Sequence, residues 1–306
     1  MGVEYAHVLK GLGVSFQAVG RSLTSCDAFF EKTGIKAIPG GVEDFLKNHS
    51  VSFTHAIVSS NTSYLYSHAV LCIEFGIKTL LVEKPGGINL FEIKNLNQKK
   101  NELGGKIFIA YNRRFYSSVE SARQIIKEDG GVTSFTFDFT EWPHTIEPLQ
   151  IPIEEKRNWI LRNSSHIFDL VFHLCGNPIE LNSKNFKGNL DWTPNSIFIG
   201  MGVTENKIPF SYHSNWESAG RWGIELNTKN RKLILRPLEK LQVQENRQIK
   251  IELLTVEGET FDTKYKPGLF QQVDKWIREE HENFCDLEEH YIKVKDIYSK
   301  IAGFAL

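Results

Sequence analysis

Up to about residue 110 the chain alternates short apolar runs with helical patterns, and this alternation constrains the fold more than any other feature. Residues 14–19, 54–58, 78–82 and 106–110 read as strands. Helical periodicity runs through 4–12, 26–33, 42–48, 64–75 and 90–101. Strands separated by helices of about ten residues call for β-α-β units and a parallel sheet. After residue 130 the pattern changes. Phe135, Phe137 and Phe139 alternate with polar residues, the period of a half-buried strand, and 196–203, 209–216, 223–228, 232–235 and 250–256 read similarly. Successive strands with few helices between them call for a mainly antiparallel sheet. Helical segments at 117–128, at 163–175 and from about 269 to the end flank it. The expected fold is α/β: a parallel-sheet domain over 1–110, then an α+β domain over 111–306 with a large open sheet.

Two domains suit 306 residues at roughly 150 each. Lys plus Arg total 36 against 37 Asp plus Glu, so no basic excess points to nucleic acid or an anionic membrane surface. No apolar run approaches the ~20 residues of a membrane span. Residues 1–7 have neither a basic nor an apolar region of the kind a signal peptide carries. Cys26, Cys72, Cys175 and Cys285 are far apart and form no C-x-x-C pair, which argues against a disulfide framework or structural zinc and makes a reducing cytoplasm the expected location.

The most informative segment is Leu80-Leu81-Val82-Glu83-Lys84-Pro85-Gly86-Gly87, an apolar strand running straight into Glu-Lys-Pro. The carboxyl ends of strands in an open α/β sheet face the ligand crevice. A lysine there can donate to a hydroxyl or a ribose, or release its proton when its pKa is depressed. Pro85 sets the backbone as it leaves the strand. The plainer alternative is a strand that ends in solvent. A second constellation opens on Ser164 or Ser165, suited to an N-cap, and stops at Gly176-Asn177-Pro178. Ile167, Leu170, Val171 and Leu174 form one apolar stripe; His166, Asp169 and His173 fall on an adjacent one. The helix is expected to bury one side and present two imidazoles and a carboxylate on another. Asp169 would orient His173, the arrangement of a base and its orienter, and the helix C-terminus would favour protonated His173. A solvated face and a metal site compete with that reading.

Together, the strand ending in Glu83-Lys84-Pro85, the segment Asn112-Arg113-Arg114-Phe115 after the fourth strand, and the helix with His166, Asp169 and His173 before Gly176 resemble the Gfo/Idh/MocA oxidoreductases. This is the glucose–fructose oxidoreductase and inositol dehydrogenase family, and the resemblance covers nearly the whole chain. It implies an N-terminal Rossmann domain over 1–110 and a C-terminal substrate and oligomerisation domain over 111–306. It implies hydride transfer between NAD(P) and a hydroxyl-bearing carbon of a sugar, nucleotide-sugar or polyol, by a homo-oligomer (dimer or tetramer). Lys84, Asp169 and His173 match the catalytic set, with His173 as base, and His166 matches a further histidine lining the site. Glu83, Lys84 and Pro85 match the motif beside the cofactor. An alcohol gives up hydride readily only as its proton leaves, so a base and a cationic lysine suit its oxygen.

The cofactor end departs from the pattern. A Rossmann domain opens with a strand, G-x-G-x-x-G and a helix. Gly11-Leu12-Gly13 lies between a helix and a strand, the wrong order. The better alignment makes Gly2 the third fingerprint glycine and puts the first strand and two glycines upstream of Met1. A sheet without its central strand leaves neighbouring strands unpaired. A preceding segment is therefore expected, and a non-catalytic sugar-binding or scaffold protein of the same fold is the alternative. Gly20-Arg21-Ser22 stands where NAD enzymes carry an acidic residue for the ribose diol. Arg21 and Ser22 suit a 2′-phosphate, so NADP is preferred to NAD, unless Arg21 only stacks on adenine or faces solvent. Ser60 and Asn61 follow the next strand, where the resemblance puts the cofactor. Arg113, Arg114, Trp142 and Arg162 are candidate substrate contacts, each with packing as its alternative. His281, Glu282, Glu288, Glu289 and His290 lack the spacing of a metal box and fit a solvated helix face, so no metal is expected.

Overall fold

The computed structural model describes residues 1–48 and 53–306 in two compact units. One comprises Met1–Asn112 with Phe261–Tyr291, the other Arg113–Thr260 with Ile292–Leu306. On sequence alone, everything from residue 111 onward belongs to the second domain. The contacts return Phe261–Tyr291 to the first, where Trp276 packs edge-on against His55 at 5.0 Å and Cys285 pairs with Ile109.

In the first unit the alternation becomes α1 (Gly2–Gly11), β1 (Ala18–Val19), α2 (Leu23–Thr33), β2 (Ala37–Ile38), α3 (Gly41–Asn48), β3 (His55–Val58), α4 (Thr62–Glu74), β4 (Thr79–Val82), α5 (Leu90–Leu103) and β5 (Lys106–Ile109). β3, β4 and β5 are parallel neighbours, and the short strand Cys285–Asp286 adds antiparallel to β5. β4 is buried along its whole length. A continuous apolar run is what a parallel strand covered on both faces requires. α4 buries Leu65, Ala69, Cys72 and Ile73, and α5 buries Ile93 and Leu96. β1 and β2 form a separate parallel pair. Among the described residues β1 pairs only with β2, and β3 only with β4, so each has one open edge. His55, Ala56 and Ile57 of β3 are accordingly only half buried.

The second unit is built on α6 (Ser117–Glu128) and eight strands: β6 (Val132–Asp138), β7 (Pro178–Phe186), β8 (Ile197–Thr204), β9 (Pro209–Asn215), β10 (Gly223–Thr228), β11 (Arg231–Leu235), β12 (Gln242–Glu245) and β13 (Glu252–Leu253). Their order is β13-β12-β11-β10-β6-β9-β8-β7, antiparallel throughout except for the parallel pair β6 and β9. The alternation at Phe135, Phe137 and Phe139 turns all three inward. There Phe168 meets Phe139 edge-on at 4.8 Å, and Phe172 meets Phe137 edge-on at 6.1 Å. Burying each such ring contributes about 1.5–3 kcal/mol, and edge-to-face contact adds to it.

Three expected elements differ. Only Ala18–Val19 of the strand at 14–19 forms, because its partner β2 is two residues long. Only Glu252–Leu253 of the strand at 250–256 forms, at the sheet's outer edge. The helix expected from 269 to the end is broken after Leu269–Ile277, where Glu279 takes a positive φ of 60°. It restarts where Asp286 Oδ1 accepts from the N–H groups of Glu288 and Glu289. All four cysteines are buried, and none forms a disulfide among the described residues. Among the described residues no helix is long and apolar enough to cross a membrane.

Candidate functional site

In the first unit, β4 runs directly into Glu83-Lys84-Pro85. Glu83 N–H still donates to Val58 O at 2.8 Å, so the ladder holds the first residue of the motif. Its buried carboxylate accepts from the Tyr5 hydroxyl of α1 at 2.8 Å. Burial, and then the adjacent carboxylate, raise the Tyr5 pKa well above its ordinary value, so the phenol stays a donor. The Lys84–Pro85 peptide is cis. His290 Nε2 lies 2.9 Å from Pro85 O, and its Nδ1 lies 3.3 Å from the Tyr111 hydroxyl. Lys84 therefore leaves the sheet from a turn pinned by buried side chains on both sides. His290 is fully buried and is not part of the solvated face its neighbourhood suggested. His281 packs against Phe108 with ring centroids 4.4 Å apart.

The residues expected at the dinucleotide lie at one end of the same unit's strands and helices. Gly2 opens α1 beside Ser59; a Cβ there would stand 3.5 Å from Ser59 Oγ. No side chain caps α1, which leaves its first-turn N–H groups available. Ser60 Oγ is buried with no hydrogen-bond partner among the described residues. Asn61 begins α4 without a side-chain cap. Ser22 caps α2 in a reciprocal pair with Ser25, so its hydroxyl is already engaged. A Cβ at Gly20 would stand 2.5 Å from Cys26 Sγ, so a larger residue there would displace that side chain. Arg21 is exposed. An orphaned hydroxyl, an uncapped helix start and an exposed cation after β1 fit a dinucleotide's ribose and phosphates.

In the second unit, the helix Ser165–Cys175 continues from a π-helical turn at Ile160–Ser164. Ser164 is therefore already helical and is no N-cap; its hydroxyl donates to Glu141 at 2.8 Å. Gly176 ends the helix at φ 89°, where glycine is favoured. The expected exposed polar stripe is instead buried. Asp169 is 1% exposed and is held by Arg114, 2% exposed, through Nε at 2.7 Å and Nη2 at 2.5 Å, with Lys293 Nζ 3.7 Å away. Burial pushes the Asp169 pKa up, but the charges of Arg114 and Lys293 and the hydrogen bonds from Arg114 outweigh it and hold the carboxyl below its ordinary value. Arg114, expected to contact substrate, is thus committed to an internal ion pair.

Asp169 does not orient His173 by a hydrogen bond. His173 Nε2 is buried without a partner among the described residues. Burial, followed by the cations of Arg114, Lys293 and Arg123, lowers the His173 pKa to about 3, which overrides the helix-dipole expectation of a protonated ring. The imidazole lines a cavity of about 250 Å³ with Arg123, Ile126, Lys127, Gly130, Gly131 and Leu174. Arg162 ion-pairs with Glu155 and lies over the Trp159 ring.

The sequence reading missed Glu141, Arg221 and Trp222. Glu141 is 1% exposed and accepts from Ser164 Oγ, from Asn163 Nδ2 at 3.0 Å and from Arg221 Nη1 at 3.1 Å. Burial raises its pKa against the lowering effect of these partners. Two guanidinium groups lie over the Trp222 ring, Arg221 at 4.6 Å and Arg113 at 4.7 Å, and its ring is 6.1 Å from that of His166. Nothing in the local pattern marks these residues. Glu141 lies three residues beyond β6, and Arg221-Trp222 stands about 80 residues later.

No family model matches the sequence, and no curated protein matches it. Solved structures do match. A levoglucosan dehydrogenase, in complex with NADH and levoglucosan, is 14% identical with a TM-score of 0.75, covering 99% of this chain and 93% of that one. The UDP-N-acetylglucosamine 3-dehydrogenase GnnA of Acidithiobacillus ferrooxidans is 12% identical with a TM-score of 0.74, covering 99% and 93%. A super-repressor mutant of Gal80p from Saccharomyces cerevisiae is 14% identical with a TM-score of 0.74, covering 98% and 92%. The parallel sheet of the first unit and the large, mainly antiparallel sheet of the second are the fold this chain shares with these solved structures.

Proposed function

We propose that the protein is an NAD(P)-dependent oxidoreductase that moves a hydride between the nicotinamide and a hydroxyl-bearing carbon of a sugar, nucleotide-sugar or polyol. The observation that carries this reading is Lys84 itself, held at the carboxyl end of a buried parallel strand by Glu83 and Pro85, which Tyr5 and His290 engage in turn. The dinucleotide supplies the hydride acceptor or donor when bound. Gly2, Ser60, Asn61 and the Glu83-Lys84-Pro85 turn are the residues assigned to hold it. Lys84 stabilises negative charge on the substrate oxygen. His173, neutral at physiological pH, takes the hydroxyl proton, while Asp169 offsets the charge of Arg114 and Lys293 near it. His166 and Arg113 are assigned to the substrate.

Arg21, with no acidic residue at the end of β1, supports NADP over NAD. Fluorescence titration of NADPH and NADH against the protein tests both points. Tighter NADPH binding, reduced about tenfold or more by Arg21→Ala, is expected; equal affinities for the two, unchanged by the substitution, would remove the NADP assignment. Two observations support a second reading, a non-catalytic sugar-binding protein: a super-repressor mutant of Gal80p shares the fold, and a histidine with a pKa of about 3 is a weak base. Absence of binding by either nucleotide would favour it. Four buried cysteines, none in a disulfide among the described residues, suit the cytoplasm.

The open sheet also supports self-association. Ile199 and Met201 of β8, Ile179 and Phe186 of β7, and Leu253 of β13 are exposed. A dimer or tetramer is expected by light scattering coupled to size exclusion, and Met201→Lys should shift it towards monomer.

A further inference from the structure

Trp142 is 43% exposed, yet it is not loose. Its indole N–H donates to Gly220 O at 2.8 Å, and its ring lies 4.6 Å from the Arg221 guanidinium. Arg221 in turn covers Trp222, whose ring also carries Arg113, so aromatic and guanidinium contacts run in the order Trp142, Arg221, Trp222, Arg113. Buried Glu141 anchors this ladder to Asn163 and Ser164, just before His166. The Arg221 side chain is 39% exposed, and its only side-chain hydrogen bond among the described residues goes to Glu141. The Trp222 indole N–H is buried with no partner among the described residues, an unmet donor within the same cluster.

The exposed part of this indole, which His144 flanks with ring centroids 5.9 Å apart, is fixed in place and offers apolar surface at little entropic cost, suited to the C–H face of a pyranose. A guanidinium held beside it, with N–H groups to spare, is the group that recognises carboxylate and phosphate in two-pronged fashion. We propose that Trp142 and Arg221 form a subsite for an acidic sugar. The pyranose ring lies on the Trp142 indole, and its anionic group, a carboxylate or a phosphate, is bound by Arg221. This deepens the sugar reading of the proposed function and rests on it for the substrate class.

The test is equilibrium binding, followed by tryptophan fluorescence and ligand-detected NMR, on the full chain without nucleotide. The probes are D-glucuronate, D-galacturonate, glucose 6-phosphate and the neutral parents glucose and galactose. At least one acidic sugar is expected to bind tenfold or more tighter than its parent, and which one does so separates the carboxylate from the phosphate. Arg221→Gln should bring that sugar to the parent's affinity, and Trp142→Ala should weaken acid and parent alike. Because Arg221→Gln leaves Glu141 short of a partner, its thermal unfolding is measured alongside, and Arg221→Lys, which keeps the charge without the planar fork, should lose part of the preference. Equal affinity for acid and parent, binding by no sugar, or a preference that survives Arg221→Gln would overturn the proposal. Nucleotide binding is read separately: its loss alone removes the hydride reading, and loss of acidic-sugar preference alone removes this subsite.

Discussion

Replacing Arg114 with methionine should cost about 3–5 kcal/mol of stability, because it strands the buried carboxylate of Asp169. For a cooperative unit of roughly 150–250 residues, that corresponds to a fall of about 6–20 °C in the thermal midpoint. The double variant Arg114→Met with Asp169→Leu should recover only part of the loss, since it removes the stranded carboxylate but also takes Asp169 from beside the buried Lys293 ammonium. The pH dependence has a definite sign. Asp169 has a folded pKa below its ordinary value of 3.8, so its contribution is fully present above the unfolded pKa and fades as pH falls through the folded one. The gap between wild type and Arg114→Met should therefore shrink once the pH is brought well below 4. His173 acts in the same direction over a wider range. It is buried neutral with a folded pKa of about 3 against an ordinary 6.5, so acid favours the unfolded chain from about pH 6.5 downward. Calorimetry at several pH values checks both statements, and an Arg114→Met midpoint within 2 °C of wild type at pH 7 would refute the first.

Lys84→Ala should lower turnover about 10²- to 10⁴-fold with the fold intact, because a positioned proton donor at the reacting oxygen contributes that much. The measurement is the absorbance of the reduced nicotinamide with an acidic-sugar or neutral-sugar substrate that the protein is found to bind. His173→Ala should also lower turnover. It should not change the shape of the pH–rate profile between pH 5 and 8, since the imidazole is already deprotonated across that window. An acidic limb near pH 6.5 that vanishes in His173→Ala would contradict the electrostatics of the second unit. Near-wild-type rates in both variants would leave the non-catalytic reading standing.

Much of the fold was legible because periodicity reports burial directly. β4 reads as an uninterrupted apolar run because both of its faces are covered, and Phe135, Phe137 and Phe139 alternate because one face of β6 is. Short edge strands were overestimated, since β1 and β13 have the composition of strands but each pairs over only two residues. The return of Phe261–Tyr291 to the first unit was invisible, because it depends on long-range contacts such as Trp276 with His55.

The candidate site divides in the same way. Glu83-Lys84-Pro85 and the His166, Asp169, His173 spacing are local patterns, and the chain alone determined that they stand at a strand end and on a helix. What each group can do was decided only by tertiary structure. Asp169 is an anion because Arg114 and Lys293 reach it from distant segments, His173 is neutral because those cations and burial disfavour its charge, and Arg221 meets Trp142 across 79 residues of chain. Spacing along a backbone sets which face a side chain occupies, whereas charge state and ligand reach depend on the desolvation and fields imposed by groups the local sequence does not contain.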